Sequence, residues 1–284
     1  MKKITFVTTL LVTSLVLAGL YLCLVTDGEE QDILTITYIN TGQGDSILIQ
    51  TPDSKNILID AGGNLGPLTI IDCLRSENIS IIDALIITHP HADHLNYSDE
   101  VMNNFSVLSI YHTGMIGYSS DYQDFIVAAE AEGCLIFTDN DIDDGDLLAI
   151  SEKVTFKVLH IDKFAENPNA ASIVIKMTFG EVDFLFMGDA QSDVEYDLIS
   201  EYGSQLDCEV LKVGHHGSSD STSNAFLAET NPYVAIICVG VNDYGHPHSV
   251  TIDRLHTQGV DVYGTYQDGT ITISTDGSDF YIYI

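Results

Sequence analysis

The sequence predicts an α/β fold in which two packed β-sheets are covered by helices. Three observations point there. Apolar or alternating runs of strand length recur along the whole chain, with helix-length segments between them. Several of these runs stop abruptly at Gly, Asp or His, as strands do where they feed loops at a sheet end. No repeat, low-complexity linker or Pro/Gly/Ser-rich boundary divides the chain, so the roughly 255 residues after an apolar N-terminus suffice for one large layered domain.

The elements follow in order. Residues 33–40 alternate as a strand, the turn Gly42-Gln43-Gly44 follows, and residues 46–50 form a second strand. Pro52-Asp53-Ser54 turns the chain into a third strand at 56–60, which is a meander. A helix is expected at 69–77, then a buried strand at 81–87. Helices at 98–103 and 121–132 alternate with strands at 107–111 and 135–138. Strands at 147–150 and 154–159 precede a hairpin, 173–178 with 182–187, around Phe179-Gly180-Glu181. Helices at 191–201, 224–229 and 251–258 alternate with strands at 208–213 and 234–239, and residues 260–284 read as strand-rich.

Residues 1–28 stand apart from this domain. Lys2 and Lys3 precede a nearly uncharged apolar run about as long as a bilayer crossing. The segment reads as an uncleaved membrane anchor or a signal peptide, with the lysines cytoplasmic and residues 29–284 outside. The expected location is therefore extracytoplasmic, membrane-anchored or secreted, and no protein partner can be inferred.

The chain carries 10 Lys+Arg against 42 Asp+Glu, a net charge of −32. This argues against duplex binding through phosphate neutralisation. An acidic, solvated surface needs no partner, and an anionic substrate would depend on bound metal for local positive charge. The five cysteines lack C-x-x-C spacing and read as buried thiols rather than a disulfide framework.

The chemistry concentrates in Thr88-His89-Pro90-His91-Ala92-Asp93-His94, directly after the apolar strand. Imidazole and carboxylate suit Zn²⁺ and other borderline cations. Residues two apart in an extended segment point the same way, so His91 can join His89 on one ion. Asp93 and His94 then begin a turn or helix and can face a second. Three more apolar strands end in potential ligands: Asp189, the pair His215-His216, and His246-Pro247-His248. His112 and His160 also follow strands and read as structural, while His256 lies on a helix surface. The acidic run 139–146 fails the Ca²⁺-loop pattern, because its glycine falls one place late and its twelfth position is Ile150. No P-loop, G-x-S-x-G elbow or dinucleotide fingerprint is present.

His89–His94 resembles the signature of the metallo-β-lactamase fold. Gly42-Gln43-Gly44-Asp45-Ser46, Ile59-Asp60-Ala61-Gly62-Gly63, Asn169-Ala170-Ala171-Ser172, Gly188-Asp189-Ala190, Leu211–Ser218 and Gly245–His248 follow in order. Together they resemble the ComEC/Rec2 C-terminal hydrolase branch, from about residue 33 to the C-terminus. The resemblance implies a four-layer αββα sandwich with two divalent ions, Zn²⁺ or Mn²⁺, at one edge. By position, His89 and His91 would hold the first ion, Asp93 and His94 the second, and Asp189 would bridge. His216 would be a further ligand and His215 would face the substrate. Asp60 would orient the ligand loop, and Asp45 and His246 are further orienting or substrate-side candidates. Asn169 stands where many members carry another histidine, which leaves the first ion short of an imidazole and makes Mn²⁺ credible beside Zn²⁺.

The resulting expectation is a metallo-hydrolase, a dinuclear phosphodiesterase or nuclease using a hydroxide held by the metals, with Asp93, His215 and His248 in catalysis. Its substrate would be single-stranded DNA or a small phosphodiester. The alternatives are amide or thioester hydrolysis of the lactam type, or a tethered metal-binding module without activity.

Overall fold

The computed structural model describes residues 32–284. The expectations for residues 1–28 and for Cys23 lie outside the described residues. Among those described, no helix is long and apolar enough to cross a membrane.

The first half of the chain runs β1 (Leu34–Tyr38), β2 (Ile47–Gln50), β3 (Asn56–Ile59), α1 (Leu68–Ser76), β4 (Ile81–Ile82), β5 (Ala84–Ile87), α2 (Ala92–Leu95), α3 (Ser98–Asn104), β6 (Ser106–Val107), β7 (Ser109–His112), α4 (Ser120–Glu132) and β8 (Leu135–Phe137). The second half runs β9 (Leu147–Leu148), β10 (Thr155–His160), β11 (Val174–Phe179), β12 (Val182–Phe186), α5 (Ser192–Tyr202), β13 (Val210–Lys212), α6 (Asn224–Thr230), β14 (Val234–Ile237), α7 (Ser249–Thr257), β15 (Asp261–Gly264), α8 (Thr265–Asp268), β16 (Ile271–Thr275) and β17 (Phe280–Tyr283). One sheet has the order β17-β16-β1-β2-β3-β5-β7-β8 and the other β15-β14-β13-β12-β11-β10-β9.

Side-chain alternation makes the four layers. Ile47, Ile49, Ile57 and Ile59 of the first sheet face Phe156, Ile175, Phe184 and Phe186 of the second. The intervening Leu48, Leu58 and Leu85 point outward against helices α1, α3 and α4. On the far side, Leu185 and Leu211 pack with Val194 and Leu198 of α5, Phe226 of α6 and Leu255 of α7. This is the αββα sandwich the sequence led us to expect. Capping fixes the helix ends: the Ser119 hydroxyl accepts from the Tyr122 N–H at 3.1 Å, and α4 stops at Gly133 with φ 71°.

The expected strand 81–87 is two strands in different sheets, with β4 paired to β6 and β5 to β3 and β7. The break falls at Asp83, whose carboxylate accepts from Lys55 Nζ at 2.9 Å and the Asn56 N–H at 3.0 Å. Residues 107–111 divide in the same way at the exposed Leu108. Within the strand-rich C-terminus, the turn of helix α8 was not anticipated. Of the described thiols, Cys208 and Cys238 are buried, Cys73 and Cys134 are half-buried, and all four are free.

The ends of β5, β12, β13 and β14 meet along one edge of the sandwich, because β12, β13 and β14 are parallel neighbours, as are β3, β5 and β7. Parallel strands deliver their C-terminal loops to the same side, and all the histidine loops leave from there.

Candidate metal centre

The loop after β5 carries His89, His91, Asp93 and His94. Its backbone is locked against the first sheet: the Asp45 N–H donates to the Asp93 carbonyl at 3.0 Å and the Ala61 N–H to the His94 carbonyl at 2.9 Å. Gly62 has to be glycine, since a Cβ there would run into the Asp93 carbonyl. Asp60 holds φ 59°, left-handed for a non-glycine residue, and uses that geometry to reach three donors. Its carboxylate accepts from the Thr88 N–H at 2.7 Å, the Thr88 hydroxyl at 2.8 Å and His94 Nδ1 at 2.7 Å. Donation from Nδ1 places the His94 lone pair on Nε2, facing Asp189.

The second sheet supplies the opposite wall. Asp189 follows β12, and its N–H donates to the Ser172 hydroxyl at 3.0 Å. His215 and His216 follow β13 with φ of 47° and 51°, two consecutive left-handed residues. His216 Nδ1 donates to the Cys238 carbonyl at 2.8 Å, which again leaves Nε2 free. That nitrogen lies 3.3 Å from Asp93 Oδ2 and 3.6 Å from Asp189 Oδ1. His94 Nε2 lies 3.2 Å from the same Asp189 oxygen. On the other side of the carboxylate, Asp189 Oδ2 is 3.7 Å from His89 Nε2 and 3.8 Å from His215 Nε2. His89 Nε2 is in turn 3.0 Å from His91 Nδ1.

The chemistry of these donors fits a cation. His94 Nε2, His216 Nε2 and Asp189 Oδ1 are buried and have no hydrogen-bond partner. Ligands about 2.0–2.1 Å from a tetrahedral ion stand roughly 3.3 Å apart, close to the spacings here. The electrostatics agree. Burial opposes protonation of His94, but the carboxylates of Asp189, Asp60 and Asp45 outweigh it and push its pKa well up. His216 rises to about 10, against its burial, through Asp189, Asp45 and Asp93. The field at this point therefore favours positive charge. Burial keeps His89, His91 and His215 below the usual histidine range, neutral and able to coordinate.

Two three-residue groupings have ligand atoms within 4.8 Å of one another: His89, His94 and Asp189, and Asp45, His94 and His216. The second is the rear of the centre. Its histidines present Nδ1 to Asp45, at 3.8 Å and 3.4 Å, and those nitrogens already serve Asp60 and the Cys238 carbonyl. Asp45 is held instead by the fully buried ammonium of Lys212, which also donates to the Gly188 carbonyl at 3.1 Å. Burial raises the pKa of Asp45, yet Lys212 and His94 prevail and bring it to about 2.

A cavity of about 320 Å³ opens over the cluster, lined by Gln43, His91, Asp93, Asp189, His215, His216, Tyr244 and His246 among others. Asn169 stands at its side, with Nδ2 3.4 Å from His215 Nε2 and a buried Oδ1 that lacks a partner. His246 packs edge-on to His215, ring centres 5.1 Å apart. His248 sits one ring further out, 4.9 Å from His246, and its Nδ1 accepts from the Ser219 N–H at 2.9 Å. The remaining histidines are elsewhere: His112 is buried edge-on to Phe125, His160 Nε2 donates to the Ala170 carbonyl at 2.8 Å, and His256 is exposed. Sequence reasoning did not single out Gln43 or Lys212. A lone lysine inside an apolar strand, in a chain with only 10 Lys+Arg, was the available signal for the latter.

Comparison with known proteins identifies the family. Residues 39–241 match the Metallo-beta-lactamase superfamily. ComE operon protein 3 of Bacillus subtilis is 31% identical over 281 residues, covering 91% of this chain and 34% of that protein. Recombination protein 2 of Haemophilus influenzae is 27% identical over 243 residues, covering 83% of this chain and 28% of that protein. The chain thus spans about a third of the length of these relatives. The structure of the metallo-beta-lactamase fold protein YhfI from Bacillus subtilis superposes with a TM-score of 0.54 at 13% identity, over 88% of this chain and all of that one. Four layers, a histidine cluster at one sheet edge and a match through most of the sandwich lead to one assignment: this chain belongs to the metallo-beta-lactamase superfamily of metal-dependent hydrolases, with ComEC-like proteins among its relatives in sequence.

Proposed function

We propose that the protein is a dinuclear phosphodiesterase whose substrates are short or small phosphodiesters. The observation that carries the reading is the Asp189 carboxylate, whose two oxygens each face a different pair of imidazoles, His94 with His216 and His89 with His215. A carboxylate so placed can bridge two ions. His89 and His91 would hold one, with the free Asn169 Oδ1 beside them, and Asp93, His94 and His216 the other. Two bound divalent ions would supply Lewis-acid charge and an ionised water as nucleophile at neutral pH.

The chain's own groups do the rest. Asp60 and the Cys238 carbonyl hold His94 and His216 in the tautomer that presents Nε2. His215, with 22% of its side chain exposed, faces the cavity. As a neutral imidazole it would donate an N–H hydrogen bond to a phosphoryl or leaving-group oxygen, steadying charge there without giving up its proton. His246 supports the His215 ring, and His248 holds the loop through Ser219.

The charge distribution favours small substrates. Among the described residues, Lys163 is the only cation lining the 680 Å³ cleft that adjoins His91, and its Nζ is 3.0 Å from Asp139. No row of unpaired lysines or arginines is there to track a long phosphate backbone. The test uses purified protein, stripped by chelation and reloaded with Zn²⁺ or Mn²⁺, on bis-p-nitrophenyl phosphate and single-stranded DNA. Metal-dependent turnover that Asp189→Ala abolishes supports the reading. Turnover that survives this substitution unchanged refutes it.

A further inference from the structure

The geometry points to Gln43 as the neutral donor that grips the substrate's phosphoryl group, a substrate-binding role resting on the phosphodiesterase reading above. Gln43 is the central residue of the Gly42-Gln43-Gly44 turn after β1. Gln43 is 7% exposed and lines the cavity over the histidine cluster, as do His215 and His246. It also lines the neighbouring cleft of about 460 Å³, together with Asp93 and Tyr244. A glutamine this deeply buried has to account for both ends of its amide.

One end is accounted for. The Gly240 N–H donates to Gln43 Oε1 at 3.3 Å, and the Gln43 N–H donates to Asn64 Oδ1 at 3.1 Å. A backbone N–H can only donate, so the amide atom facing Gly240 is the oxygen and the orientation of the amide is set. Gly240 lies so close to the Gly42–Gln43 backbone that a Cβ would collide with it, which keeps this contact short. The other end, Nε2, is buried with no partner. The side chain that carries this donor pair lines the cavity together with Asp93, Asp189 and His216.

The charge census explains why a neutral donor is needed here. Lys212, the cation behind the centre, is taken by Asp45, and Lys163 by Asp139. The remaining side-chain donors lining the cavity for an anionic oxygen are imidazole, amide and the Tyr244 hydroxyl. An amide N–H has no acceptor lone pair and carries no charge to attract the acidic side chains around it. It favours an oxyanion over the cations that would otherwise crowd a chain of net charge −32.

The experiment uses the metal-loaded full chain and two near-isosteric variants, Gln43→Met and Gln43→Glu. Three quantities are read: metal stoichiometry and affinity by calorimetry, inhibition by inorganic phosphate, and kcat and KM for bis-p-nitrophenyl phosphate. A lost hydrogen bond to a charged group predicts phosphate affinity about tenfold weaker or more in Gln43→Met, and weaker still in Gln43→Glu, where like charges meet. Metal affinity stays at the wild-type level in Gln43→Met. Unchanged phosphate inhibition in both variants overturns the assignment, as does loss of metal from Gln43→Met, which would make the residue a support of the centre. A wild-type protein that is metal-loaded yet indifferent to phosphate and phosphodiester would overturn the parent reading itself, whatever the variants do.

Discussion

Replacing Lys212 by Met isolates the one ammonium that, among the described residues, is fully buried, beneath the loops of the candidate metal centre. Lys212 and Asp45 are each 1% exposed, and the ion pair joins the loop after β1 to the strand below Asp189. Truncation removes Asp45's cation and leaves its carboxylate in the interior beside the Nδ1 faces of His216 and His94 and the Cys238 thiol. Removing one partner of a buried pair costs about 3–5 kcal/mol, because the other charge stays desolvated. For a domain of this size that lowers Tm by roughly 6–20 °C. Asp45→Asn alone strands the ammonium and should cost a similar amount. The double variant Asp45→Asn/Lys212→Met removes both charges and should be less damaged than either single variant, far below the additive sum of the two. Urea unfolding in chelator, followed by far-UV circular dichroism since the chain has no Trp, measures all four proteins. A single-variant cost below about 1 kcal/mol, or a double variant as damaged as the sum of the singles, would refute the buried-pair argument.

Asp60→Asn keeps the shape of the side chain but loses the charge that holds His94 Nδ1, so metal affinity should fall about 10–100-fold by calorimetry while the fold persists; wild-type affinity would show that Asp60 does not orient this ligand. Asp189→Ala should cut bound metal from two ions towards none or one by elemental analysis, and two ions retained would remove the bridging role. Salt offers a separate check on the small-substrate reading. Between low and moderate ionic strength, kcat/KM for a phosphodiester should change little and should level off with DNA length beyond a few nucleotides, whereas a steep salt slope would reveal a phosphate-tracking surface. His112 supplies a pH signature away from the centre. Burial lowers it to about 4 in the fold, against an unfolded value near 6.5. Below 6.5 the unfolded chain binds the proton and the fold does not, so stability present above 6.5 is lost as pH falls towards about 4, by at most roughly 3 kcal/mol. Denaturation of wild type and His112→Asn at pH 8 and pH 5 should differ by part of that amount, and equal losses would disprove the assignment to His112.

The sequence carried the layered architecture because each strand writes its own alternation, as Ile47-Leu48-Ile49 does with two residues inward and one outward. It also carried the ligand loops, since His89–His94 and His215-His216 are dense local patterns at strand ends. Sheet membership was another matter. Ile81-Ile82 and Ala84–Ile87 look continuous, and only the tertiary contact of Asp83 with Lys55 divides them. The partners of Gln43 and Lys212 were hidden for a similar reason. Gln43 acquires meaning from Gly240, 197 positions away, and Lys212 from Asp45 on the other sheet. Long-range pairings of this kind leave no periodicity to read.

The centre draws His89–His94 from the loops of one sheet and Asp189 and His216 from the other. Cations held by this set would be stitches across a seam. Sliding or parting the two halves at this edge would then require breaking coordinate bonds, and metal release would become a slow step in losing the fold. With metal bound there, the lifetime of the chain would depend on the free metal concentration around it as well as on its core.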